Sequence, residues 1–98
     1  VVLRYLPLAR AEYLDQVEYY ERRAPGLGRR FMQAVQEAEC LVLNNPHGYS
    51  CVEPLSGLRA VVLKRFPFRL LYRARAEEVL VAAVAHTARE PAQFLQRD

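Results

Sequence analysis

Lysine is almost missing from this chain: thirteen of its fourteen basic side chains are arginine, and Lys64 is the exception. Tryptophan is absent, methionine occurs once, and there are two cysteines, Cys40 and Cys51. Two cysteines do not make a disulfide framework. Neither sits in a CxxC pair or at a Cys/His metal-ligand spacing, so both read as free thiols, with no metal site and no cofactor expected. No apolar run approaches the ~18 residues of a membrane-spanning helix. The opening VVLRYLP is too short and too mixed for a signal peptide. These absences exclude a disulfide scaffold, a zinc module and a membrane protein, and point to a cytoplasmic chain in a reducing compartment. Internal repeats and low-complexity tracts are also lacking.

What is present is an ordinary globular composition, 52% hydrophobic and 26% charged over 98 residues, enough for one domain with one modest core. The net charge of +3 is unevenly spread. Residues 1–50 carry six basic and six acidic side chains, whereas residues 51–98 carry eight and five. From Arg59 to Arg75 there are six cations (Arg59, Lys64, Arg65, Arg69, Arg73 and Arg75) and no acid. A cationic stretch of this kind is either a solvated face or a surface for an anionic partner. The arginine fork suits phosphates and carboxylates.

Hydrophobic periodicity orders the chain. VVLRYL, ended by Pro7, reads as a short strand. A helix then runs to about Arg23, with Pro7 near its start and Tyr13, Leu14, Val17 and Tyr20 on its apolar side. Glu12, Asp15, Glu18 and Glu21 form an acidic, solvated face. Pro25-Gly26 breaks the helix, and a second begins near Leu27. Its stripe is Phe31, Ala34, Val35, Ala38, Leu41 and Val42, with Cys40 beside it as packing filler. Asn44-Asn45-Pro46 stops it, asparagine being suited to a left-handed cap. Residues 46–57 form a loop in which His47 and Cys51 have no evident chemical role. Three strands follow: Arg59 to Arg65, Phe68 to Arg75 and Glu78 to His86. On the middle one Phe68, Leu70 and Tyr72 alternate with Arg69, Leu71 and Arg73. The last is apolar on both sides, as a strand covered on both faces would be. Residues 89–98 form a short tail. The expectation is an α+β, two-layer domain of order β-α-α-β-β-β. A helical hairpin covers one face of a mainly antiparallel sheet, and the arginines show on the other.

This order, the NNPHG break, the FPFRLLYR hairpin and the VAAVAHTAREP ending together resemble the RelE/ParE superfamily of type II toxin–antitoxin toxins, most closely the ParE-like or plasmid-stabilisation members. The resemblance covers about residues 1–97. It implies a growth-inhibiting toxin neutralised by a cognate acidic antitoxin, as a homodimer or a toxin–antitoxin hetero-oligomer. The target it implies is DNA gyrase for ParE-like members, or messenger RNA at the ribosome for RelE-like ones. A third outcome is a degenerate regulatory module that only binds its antitoxin.

Metal-free RNA cleavage needs a base, a cation to stabilise the phosphate and a proton donor. By the resemblance, Arg69 stands where RelE-like enzymes hold a transition-state arginine. Arg89 is near another phosphate-binding arginine, and His86 is a general acid or base. Arg59, Lys64, Arg65, Arg69 and Arg73 are the candidates for binding the antitoxin or nucleic acid, with Arg69 and Arg73 sharing the exposed face of the middle strand. RelE-like enzymes also carry lysines where this chain has Ala60 and Val62, and a tail tyrosine where it has Phe94. Phenylalanine transfers no proton. These departures favour the gyrase block over cleavage.

Overall fold

The computed structural model describes residues 1–97. Its elements are β1 (Val2–Tyr5), α1 (Pro7–Arg23), α2 (Leu27–Asn44), β2 (Leu58–Val62), β3 (Phe68–Ala74), β4 (Glu78–His86) and a 3-10 turn at Pro91–Phe94. The β-α-α-β-β-β order is the expected one. The sheet has four strands in the order β1-β4-β3-β2. β2, β3 and β4 are antiparallel, and β1 lies parallel to β4. The sheet is therefore mixed.

Pro7 opens α1 in the first turn, where its missing N–H costs nothing. The hairpin turns at Gly26, whose φ of 85° is left-handed. The two helices then approach closely: a Cβ on Gly28 would stand 2.7 Å from the Val17 carbonyl oxygen. Asn45 ends α2 with φ −153°, so the left-handed cap expected there does not form. Its N–H, shared between the Leu41 and Val42 carbonyls (3.2 and 3.1 Å), closes the helix instead.

The helix-side core joins Phe31, Ala34, Val35, Ala38 and Val42 of α2 to Val61, Phe68, Leu70, Tyr72, Val79, Val81 and Val84 of the sheet. Tyr13, Val17 and Tyr20 of α1 pack against it. Two residues of the expected stripes fall outside: Leu14 and Leu41 are 48% and 43% exposed. Cys40 is exposed too, and so fills no gap. β2 stops at Val62, three residues short of the expected Arg65, because Arg65 adopts φ 68° within the turn.

The second face of the sheet is not an open arginine surface. Phe94, 1% exposed, lies on Leu58, Leu71, Ala82, Ala83 and Ala85, with Leu6, Val52, Ala60 and Leu95 around them. A β-bulge builds this alanine bed. Leu71 faces Ala83 and Tyr72 faces Val81, so Ala82 is one residue too many. Ala82 and Ala83 therefore both turn toward the tail.

Candidate functional site

The tail crosses the second face as a strap, and two arginines hold it. The Arg73 guanidinium donates to the carbonyls of Leu95 (2.7 Å), Arg97 (3.1 Å) and Ser56 (2.8 Å). Arg97 makes two bonds to the Glu12 carboxylate (2.8 and 2.9 Å) and one to the Ala82 carbonyl (2.9 Å). The Glu12 carboxyl is held below its usual range, first by the Arg97 hydrogen bond and then by the charges of Arg97 and Arg89, against a partial desolvation. The guanidinium groups of Arg89 and Arg97 each stand 4.8 Å from the Phe94 ring centre.

Arg73 and Arg69 do share a face, but Arg73 is half-buried under the strap and committed to three carbonyls. It is not displayed to a partner. Arg59 is similarly occupied, donating to the carbonyls of His47 (3.3 Å) and Tyr49 (2.5 Å) and pinning the 46–50 loop to β2. Both cations were expected at a binding surface. They serve as loop clamps because buried carbonyls need donors and arginine supplies several at fixed angles.

The remaining candidates divide between the two faces. Arg69 pairs with Ala85 on the tail side, half-buried, and makes no side-chain hydrogen bond or ion pair among the described residues. His86 pairs with Phe68 and lays its ring edge-on to that residue, 5.3 Å between centres, on the helix side. Its Nδ1 accepts the Ala88 N–H (3.0 Å), which leaves Nε2 as the outward position. The groove it lines is shared with Glu12, Asp15, Gln16 and Arg89. Arg89 also donates to Gln93 (3.3 Å). His86 and Arg89 are thus brought together beside two carboxylates, in a groove that Arg69 does not line.

Lys64 and Arg65 are exposed on the β2–β3 turn. With Leu27, Arg30, Gln33, Ala34, Glu37 and Phe66 they line a cavity of about 360 Å³ between that turn and α2. Arg30 was missed in the sequence, lying 34 positions from Lys64 with no pattern linking them. The same holds for Glu12 and Arg97. The acidic face of α1 is only partly solvated: Glu12 holds Arg97, and the Glu21 carboxylate accepts the Gly26 and Gly28 N–H groups (3.0–3.2 Å), capping α2.

Tyr72 is core, as expected. Its hydroxyl donates to the Pro46 carbonyl (2.7 Å), and burial pushes its pKa up to about 12. Burial first, and then a hydrogen bond to Glu39, raises Tyr5 far above the usual phenol range. Among the described residues no group of three or more metal-ligating side chains converges, and no helix is long and apolar enough to cross a membrane.

Residues 3–91 match the family model of the ParE toxin of the type II toxin–antitoxin system parDE. A solved structure described as a chromosomal ParDE TA system from P. aeruginosa shares the fold with TM-score 0.63. The match covers 88% of this chain and 95% of that one at 19% identity. No curated protein matches the chain significantly. A match running from β1 to the start of the tail, on a fold with the expected element order, places this chain in the ParE toxin family of type II toxin–antitoxin systems.

Proposed function

We propose that this chain is a growth-inhibiting toxin of the cytoplasm, neutralised by a cognate antitoxin, that acts by blocking DNA gyrase and not by cutting RNA. One observation carries the choice between these modes: Arg69 and His86 project from opposite faces of the sheet. Phosphodiester cleavage requires the base, the charge-stabilising cation and the acid to meet at one phosphate, within hydrogen-bonding reach of the reacting oxygens. The groove that does hold His86 and Arg89 also holds Glu12 and Asp15. Two carboxylates beside the phosphate would oppose its binding. A toxin that grips a protein target needs no such convergence.

The reading is tested by adding the purified chain to gyrase and relaxed plasmid. The expected result is lost supercoiling or trapped cleavage complexes, reversed by the antitoxin. Undiminished supercoiling at toxin excess would contradict it. Both a homodimer and a toxin–antitoxin hetero-oligomer are compatible with this reading, and sedimentation of the purified complex separates them.

A further inference from the structure

One outer edge of the sheet is covered over only half its length. β2 is an edge strand. The Leu63 N–H donates inward to the Phe68 carbonyl (2.9 Å), so by the alternation of an antiparallel ladder Leu58, Ala60 and Val62 turn their backbone groups outward. The segment Ser50–Val52 covers the first part. The Val52 N–H reaches the Leu58 carbonyl (2.8 Å), and the Ala60 N–H reaches Ser50 (3.4 Å). Beyond it, nothing among the described residues pairs with the Ala60 carbonyl or with the N–H and carbonyl of Val62. The Val62 side chain is 61% exposed. A bare edge of this kind is a template for another strand.

The surroundings specify what kind of strand. Beside the cavity between α2 and the β2–β3 turn, and sharing Ala34, Glu37 and Lys64 with it, a second and much smaller hollow is lined by Ala38, Leu41, Val62 and Leu63. At the turn end of the cavity stand three exposed cations, Arg30, Lys64 and Arg65, against one carboxylate, Glu37. None of the three has a hydrogen-bond or ion-pair partner among the described residues. Edge lysines often serve only to repel other strands. That role accounts for Lys64, but not for a helix arginine facing it or for the apolar Leu41 alongside. Arg65 also holds a left-handed backbone, φ 68°, at a cost of about 1 kcal/mol that only surrounding structure or function sustains.

We propose that the free half of β2 takes up an extended peptide as a fifth strand, acidic where it passes the β2–β3 turn and apolar beside Val62 and Leu41. The inference rests on the antitoxin reading above and names where the segment lies. Main-chain bonds to Ala60 and Val62 supply the register, and carboxylates meeting Arg30, Lys64 and Arg65 supply the selectivity. On the tail side, Val62 is cross-strand partner to Arg69. An acidic residue of the added strand reaches toward that free guanidinium too. The acidic segment expected across Arg69 and Arg73 is thereby moved to the sheet edge, beside Arg30, Lys64 and Arg65.

The test uses the full chain and its purified antitoxin. Hydrogen exchange should show the Val62 amide open in the free chain and protected in the complex. Val62→Pro removes an outward N–H and the apolar Val62 side chain while breaking no hydrogen bond of the β2–β3 ladder, and it should weaken binding at least roughly tenfold. The double charge reversal Arg30→Glu with Lys64→Glu lies at exposed positions and should weaken it as much, with wild-type binding losing affinity as salt rises. If wild-type binding is tight, both variants retain it and the Val62 amide stays open, the placement is wrong while the antitoxin reading stands. If the wild-type chain does not bind the antitoxin at all, both fall.

Discussion

The two faces of the sheet are covered by different means. The helix side is closed by area. Phe31, fully buried, stands among Tyr13, Tyr20, Phe66 and Phe68 with ring centres 5.1–6.1 Å apart. The tail side is a smaller bed of Leu58, Leu71 and three alanines under one aromatic ring, fastened by arginine bonds to carbonyls and by the Arg97–Glu12 pair. The difference teaches where the cations go. A thick apolar layer needs no charge to hold it, while a single strap with few methyl groups beneath it does. Arg73 and Arg97 are consumed there, while Arg30, Lys64 and Arg65 around the β2–β3 turn, and Arg69, have no hydrogen-bond or ion-pair partner among the described residues.

The largest effect should come from the helix side. Phe31→Ala leaves a cavity in the aromatic cluster and should cost about 3–5 kcal/mol, with Tm falling by roughly 15 °C or more. A loss under about 1 kcal/mol in urea unfolding would break the contrast between the faces. Next is the clamp of the strap. Arg73→Met keeps the aliphatic stem but strips three carbonyls of their donor, and about 2 kcal/mol should be lost. Hydrogen exchange should quicken around residues 55–57 and 94–97, with the helix-side core unchanged. Uniform loosening would show that the two layers are not separate.

The ion pair should contribute less. Glu12 titrates below its unfolded value, so its contribution is present above the ordinary glutamate range and is lost as pH falls through the folded value. Glu12→Gln should therefore cost under about 1 kcal/mol at neutral pH, the pair being partly exposed. The wild type and the variant should converge in stability as pH falls below the ordinary glutamate range. A gap persisting at low pH would mean that Glu12 acts by packing. Smallest is Arg69→Ala, expected within about 0.5 kcal/mol because the side chain has no hydrogen-bond or ion-pair partner among the described residues.

Much of this architecture was legible because it is local. Pro7, the Pro25-Gly26 break and the Asn44-Asn45-Pro46 stop bound the helices, and period-two alternation assigned Phe68, Leu70 and Tyr72 to the core. β4 announced itself as doubly covered by having no polar residue from Val79 to Ala85. What stayed hidden is non-local. Nothing near Val2 says that β1 will run parallel to β4. A bulge at Ala82 leaves no mark in a run of small residues. A surface arginine and one that clamps carbonyls are the same letter, so Arg59 and Arg73 could not be told from Arg69. The pairing of Arg97 with Glu12 spans 85 positions, and Arg30 reaches Lys64 only through the packing of α2 on the sheet.

The most direct measurement is primer extension on messenger RNA after induction of the wild-type chain and of Arg69→Ala and His86→Ala. Residues on opposite faces of a sheet do not act on one phosphate, so growth should stop with no codon-positioned cuts, and His86→Ala should arrest growth as well as the wild type. Cuts that appear with the wild type and vanish in both variants would contradict the account.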